Sequence, residues 1–236
     1  MCQPPRPNLK TPISIVGTGR PRSTTSLTQQ LRQRTSLLHS AAEASGVVAE
    51  MIKGQVTRSH YALYLRNLLP AYQAMEAALQ DNSTILPGLA QPPLYRVERI
   101  VADLRALEGS DWAESLPLLT SGRRYAERIA WAGHSELLIA HCYTRYLGDL
   151  NGGRVLMRRI LTRFGPDFPA IAFVTFPGIP DLDEFQAAYR RDLDSAGVHL
   201  ADSLGVVEEA AIAFQLNIDL SREVSGCGTR PKTAAT

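Results

Sequence analysis

Ser135-Glu-Leu-Leu-Ile-Ala-His-Cys-Tyr-Thr-Arg-Tyr-Leu-Gly-Asp-Leu-Asn-Gly-Gly-Arg-Val-Leu-Met-Arg-Arg-Ile-Leu-Thr-Arg-Phe164 is the stretch on which the reading of this chain turns. It contains no proline, alternates Leu, Ile and Ala with Arg, and stops at Gly165-Pro166, so helix is favoured throughout. Yet Gly148, Gly152 and Gly153 lie inside it. Each interior glycine costs about 1 kcal/mol relative to alanine, so a helix that carries three gains something by them. Gly148 and Gly152 are four residues apart and share a face. Without side chains there, the backbone can lie against something flat and bulky, or against another helix through a small-xxx-small crossing. Both readings stay open on the glycines alone.

Outward from this run the pattern is helical almost everywhere. Leu27, Leu31, Leu38 and Ala42 form one stripe from about Ser26, with Gly46 as the break. Thr57 can cap a second helix in which Tyr61, Leu65, Leu68, Tyr72, Met75 and Leu79 keep a spacing of three or four, with Pro70 as a kink inside it. Leu94 to Leu107 and Pro117 to Trp131 read as two more. Asp181, with Glu184 three residues on, starts a helix whose stripe is Phe185, Tyr189 and Leu193, and a last helix spans about Ser203 to Val224. Phe173-Val-Thr-Phe176 is the one β-like run, ended by Pro177. The expected architecture is a single all-α domain over 26–224, between a disordered basic tail at 1–25 and a disordered C-terminal tail at 225–236.

Composition removes several classes of function. In 236 residues, 25 Lys and Arg face 23 Asp and Glu, a balance with no broad field for nucleic acid or an anionic membrane. No apolar run approaches the ~18 residues of a membrane-spanning helix, so no membrane anchor is expected. Cys2, Cys142 and Cys227 are too few and too widely spaced for a disulfide framework or a metal knuckle, and Cys142 reads as a small buried filler. The chain has no Glu-x-x-His, no Walker A loop and no complete dinucleotide fingerprint. No acidic residue precedes Glu43, while Arg6, Lys10, Arg20, Arg22, Arg32 and Arg34 do. A cytoplasmic protein with a basic tail is expected, the alternative being a plastid protein with a transit peptide.

The residues around the glycines sharpen the reading. Arg145 lies one turn before Asp149, and on the first helix Glu43 lies one turn after His39. A glutamate at i+4 can accept the free ring N–H of a histidine whose other nitrogen binds a metal. An imidazole on one helix and a glycine-opened helix elsewhere suggest the two sides of a heme sandwich.

Leu38-His39-Ser-Ala-Ala-Glu43, Lys53-Gly-Gln-Val-Thr-Arg58, Ala140-His-Cys-Tyr-Thr-Arg-Tyr-Leu-Gly-Asp-Leu-Asn-Gly-Gly153, Phe173-Val-Thr-Phe-Pro177 and Phe214-Gln-Leu-Asn-Ile218 resemble the biliverdin-producing heme oxygenase family, in family order over about Leu27 to Leu220. The resemblance implies a helical domain that holds heme between a proximal and a distal helix. It implies His39 as the axial iron ligand, with Glu43 as its acceptor, and Asp149 as the distal carboxylate holding a water network that Tyr72, Arg145 and Asn217 feed. Gly148 and Gly152 become the distal backbone on the heme, Phe214 a pocket wall, and Arg32, Tyr143 and Arg190 the groups that hold the propionates. The implied reaction is cleavage of heme b, at once substrate and cofactor, at the α-meso carbon to biliverdin IXα, CO and Fe2+. It uses O2 and electrons from an external donor, a ferredoxin or a flavin or NADPH reductase, and a monomer is expected. The departures are Ser36 and Gln186 where animal enzymes place lysines, and Asn151 in place of a common serine. Two rivals are a non-catalytic heme carrier on this fold and an unrelated helical interaction protein whose glycines only pack helices.

Overall fold

The computed structural model describes residues 25–227; of the expected tails 1–25 and 225–236, the parts 1–24 and 228–236 lie outside them, while Ser225 and Gly226 end the last helix. Among the described residues the chain forms helices and connecting turns, without strands. In order these are α1 (Leu27–Glu43), α2 (Gly46–Ile52), α3 (Arg58–Asp81), a 3-10 turn at Pro92–Leu94, α4 (Val97–Glu108), α5 (Trp112–Ser115) and α6 (Thr120–Ala132), followed by α7 (Leu138–Cys142), a π-helical segment (Tyr143–Leu147), α8 (Gly148–Phe164), α9 (Leu182–Gly197) and α10 (Ser203–Gly226).

Side-chain caps set several of the starts. Ser26 and Gln29 form a reciprocal capping box on α1, Thr57 accepts the His60 N–H of α3, and Asp181 accepts the Asp183 and Glu184 N–H groups of α9. Gly46 turns the chain into α2 at φ +50°, and a Cβ there would meet the Ser221 carbonyl oxygen at 2.1 Å, so only glycine fits. α3 runs unbroken through Pro70, whose missing N–H leaves the Arg66 carbonyl without its intrahelical donor.

α3 packs between α4 and α6, and α1 lies along α10 with α9 beside its start. Thr28 donates from its N–H and its hydroxyl to the Asp194 carboxylate at 2.8 and 3.1 Å, which ties α1 to α9. The fully buried side chains Tyr61, Leu65, Leu68, Tyr72, Met75 and Leu79 make α3 the spine of the core. Ala42, Phe214 and Ile218 form a separate apolar cluster between α1 and α10, with Leu38, Ala41 and Tyr143 at its edge.

Three expectations are corrected. The run from Ser135 to Phe164 is not one continuous α-helix: α7 passes into one π-helical turn over Tyr143–Leu147 before α8 begins at Gly148. The Leu94 and Pro117 helices start later, at Val97 and Thr120: Leu94 ends the 3-10 turn that Pro92 and Pro93 open, and Pro117 lies in the irregular backbone that precedes α6. Phe173–Phe176 forms turns rather than a strand. Its backbone finds side chains instead of a neighbouring strand: Ala172 and Phe173 each donate an N–H to Asp103 at 2.8 Å, and Arg96 donates to the carbonyls of Phe173 and Thr175 at 3.4 and 2.7 Å.

Candidate active site

The π-helical turn leads directly into the densest polar cluster. Arg145 lies within it and Asp149 one turn later on α8, and the two pair at 3.1 Å. Tyr72, from the middle of α3, donates its hydroxyl to the other carboxylate oxygen of Asp149 in a short hydrogen bond. Arg145 donates to the Tyr72 hydroxyl through Nε at 3.1 Å and Nη2 at 2.9 Å, and through Nη1 to Asn217 Oδ1 of α10 at 2.9 Å. Three helices therefore converge on one carboxylate. Burial pushes the Asp149 carboxyl up from its ordinary range against the opposing pull of Arg145 and Tyr72. The Tyr72 phenol is raised well above 10, first by burial, so it remains a proton donor.

The same helix presents the glycines. A Cβ built at Gly148 or Gly152 meets nothing within 4 Å, whereas one at Gly153 lies 3.0 Å from the Val174 carbonyl oxygen and 3.3 Å from the Phe176 ring. Gly153 is thus the packing glycine. Gly148 and Gly152 face no helix, which removes the small-xxx-small crossing as the reason for this pair. Gly148, Asp149, Gly153, Leu156, Phe173 and Val174 line a cavity of about 30 Å³, large enough for a water molecule at the carboxylate.

On α1, His39 and Glu43 are both half-exposed, with Nδ1 3.8 Å from the carboxylate. No protein group takes His39 Nε2 among the described residues, so the imidazole has the chemistry to ligate a metal. Its ring lies 5.9 Å from that of Phe214 across to α10, next to the Tyr143 side of the satellite apolar cluster. A flat apolar group with a central metal matches this donor set: one imidazole, an apolar wall, and a stretch of helix without side chains.

The residues read as propionate groups are less gathered. Arg190 and Gln186 of α9 both donate to Asn151 Oδ1 on α8, Arg190 at 3.2 Å, and Asn151 donates back to the Leu147 carbonyl at 2.6 Å. Two of the departures from the family pattern therefore touch each other. Arg32 stands exposed on α1, two turns before His39, and is not brought to this cluster. Cys142 is fully buried and its thiol is pushed up to about 12 by burial, as suits a filler. His141 beside it is buried against Glu209, which also pairs with Arg128. Asp103 and Arg96, which hold the Phe173–Val174 wall, leave no mark of that role in the sequence, because a buried Asp or Arg inside a helical pattern looks there like a solvated one.

The family comparison agrees with this geometry. The heme oxygenase family profile matches residues 25–223. Heme oxygenase 1 of Nostoc sp. is 36% identical over 205 residues, covering 85% of this chain and 86% of that protein. Human heme oxygenase 1 is 35% identical over 207 residues, covering 84% and 71%. Among solved structures, heme oxygenase-1 of Synechocystis sp. in complex with heme superposes with a TM-score of 0.80 at 32% identity, over 86% of this chain and 93% of that one. The heme oxygenase of Leptospira interrogans gives 0.79 at 32%, over 84% and 100%. With a family match over nearly all the described residues and relatives this similar along most of their length, the chain belongs to the heme oxygenase family.

Proposed function

We propose that this protein cleaves heme b at the α-meso carbon to biliverdin IXα, CO and Fe2+, using O2 and electrons from an external ferredoxin or flavin or NADPH reductase. The observation that carries the reading is the Asp149 carboxylate, fixed by Tyr72 and Arg145 beside a helix face that Gly148 and Gly152 leave bare. Heme, once bound, supplies the iron that takes O2 and the macrocycle that is oxidised.

The chain's own residues do the rest. His39 offers Nε2 to the iron while Glu43 holds the other side of the ring. Gly148 and Gly152 let the α8 backbone lie on the porphyrin, and Phe214 closes the apolar side. Asp149 accepts from a water in the adjoining cavity. Arg145, itself anchored on Asn217, keeps the carboxylate oriented without protonating it, because its guanidinium stays charged. A donor chain held in place in this way stabilises charge where it develops and needs no reorganisation. Tyr143 and Arg190 supply polar groups for the propionates, and Arg32, which stands apart from them on α1, adds a charge from that side. The electron donor docks transiently, helped by electrostatics.

A non-catalytic carrier would need His39 and the apolar wall but not the Tyr72–Arg145–Asp149 network. The deciding experiment adds hemin to the purified protein and then a reductant in air. A Soret band that forms and then gives way to biliverdin absorption supports the reading, and a Soret band that persists through reduction in air overturns it.

A further inference from the structure

Asp103 and Arg96 are 0% and 1% exposed, and neither hydrogen-bonds to the polar cluster around Asp149, although the Arg96 charge is felt at that carboxylate. Burying a carboxylate or a guanidinium costs several kcal/mol unless its lone pairs and protons are met, so their partners show what the burial serves. Both Asp103 oxygens and the Arg96 Nη1 are spent on one irregular segment, while the Arg96 Nε and Nη2 hold the turn before α4. Asp103 Oδ1 and Oδ2 accept the N–H groups of Ala172 and Phe173, each at 2.8 Å. Arg96 Nη1 donates to the carbonyls of Phe173 and Thr175, its Nη2 to Pro93 at 2.7 Å, and its guanidinium lies 4.2 Å over the Phe176 ring. Tyr61, from α3, donates to the Ala170 carbonyl at 3.2 Å.

The segment held in this way is the second wall of the candidate site. Phe173 meets Tyr72 edge-on, with centroids 6.0 Å apart and planes at 73°, and Tyr72 is the donor to Asp149. Phe173 and Val174 share the 30 Å³ cavity with Gly148 and Asp149, and the Val174 carbonyl sets how close α8 comes at Gly153. A fraction of an ångström at Phe173 is felt on both sides of the Asp149 carboxylate. With no strand or helix of its own, the segment has no regular hydrogen bonding to keep it in register. The two carboxylate bonds from α4 supply that register.

We infer that Asp103 is a positioning residue of the active site: from α4 it fixes the backbone at Ala172 and Phe173, and so sets the shape and polarity of the distal cavity at Asp149 without touching bound heme. The inference rests on the heme oxygenase reading for its consequence, and on heme-free geometry for its mechanism. The two parts are therefore tested separately.

In heme-free protein, Asp103→Asn turns one acceptor into a donor facing a backbone N–H. Amide exchange at Ala172 and Phe173 should rise by about tenfold or more while amides in the middle of α6 stay near wild type. In the ferric heme complex, the midpoint of the alkaline spectral transition should move by about half a pH unit or more, because the polarity at the distal cavity has changed. Phe173→Leu, which leaves the clamp intact and shortens the wall, should move that midpoint with no rise in amide exchange. Ile129→Val, a fully buried core change on α6, serves as the stability control and should leave the midpoint unmoved. An Asp103→Asn protein with wild-type exchange at both amides overturns the clamp. Faster exchange with an unmoved midpoint, or an equal movement in Ile129→Val, overturns its role at the site. If wild-type protein forms a heme complex yet yields no biliverdin, the enzymatic reading fails while the exchange result still decides the clamp.

Discussion

At Asp149 two opposite tendencies meet: burial favours the neutral acid, while Arg145 at 3.1 Å and the Tyr72 hydroxyl favour the anion. A carboxylate held in that balance can accept from a water and pass a proton on, which an exposed one could do only without fixed direction. Asp149→Ala should therefore keep heme affinity within about threefold, because the carboxylate serves the oxygen site, and lower biliverdin yield on the order of 100-fold. Optical titration and product absorption read the two effects, and full biliverdin yield in this variant would remove Asp149 from the reaction. His39 sits in a different environment, half-exposed beside Glu43, which is 3.8 Å from its Nδ1. His39→Ala should abolish turnover, and added imidazole should restore part of it. Normal turnover without imidazole would show that another group ligates the iron.

At the scale of elements, what could be read in advance was whatever leaves a local chemical mark. Ser26, Thr57 and Asp181 announce the starts of α1, α3 and α9 because a cap needs a particular side chain at a particular place. The π-helical turn at Tyr143–Leu147 leaves no such mark, since one extra residue per turn changes neither composition nor spacing enough to show. The Phe173 run was misread for a related reason: aromatic and β-branched residues signal a strand only if an edge is available, and here Asp103 and Arg96 take the backbone groups. Arg145 and Asp149 were legible because they lie one turn apart in a local motif that runs from the π-helical turn into α8, whereas Tyr72 and Asn217, which join from α3 and α10, were reached only through the family resemblance. The glycines of α8 separate in a way that spacing alone could not show. Gly148→Val should leave heme-free stability near wild type, since its Cβ meets nothing within 4 Å, and weaken heme binding by about 1–3 kcal/mol, roughly five- to 150-fold. Gly153→Val should do the reverse first, lowering thermal stability by about 1–3 kcal/mol through its clash with the Val174 carbonyl and the Phe176 ring. Unfolding curves and heme titrations on both variants check this, and the opposite pattern would return Gly148 to a packing role.

Across the whole molecule, buried charge links the spine to the site walls, and this makes stability depend on pH. Glu76 lies one turn after Tyr72 on α3, and its Oε1 accepts the N–H groups of Arg96 and Val97, holding the start of α4, the helix that carries Asp103. Burial pushes the Glu76 carboxyl up to about 7 in spite of these two donors. The folded state then holds this proton more tightly than the unfolded chain, whose ordinary value is 4.5. The stability it contributes is full below about 4.5 and is lost as pH rises toward 7. At 1.36 kcal/mol per pKa unit the loss reaches at most ~3 kcal/mol. Buried His141 acts in the opposite sense, because burial lowers its pKa and protonation below its ordinary value favours unfolding. A comparison of two proteins that share His141 cancels it. Glu76→Gln provides that comparison: with its amide oxygen in the place of Oε1 it keeps both acceptor bonds and carries no charge at any pH. Urea unfolding of heme-free protein should show the Gln variant ahead by no more than about 1 kcal/mol at pH 5 and by up to ~3 kcal/mol at pH 8. A difference that stays flat from pH 5 to 8, or a Gln variant that is the weaker at pH 8, would mean that the Glu76 carboxylate is stabilised as an anion by the start of α4, and that burial is not what governs it.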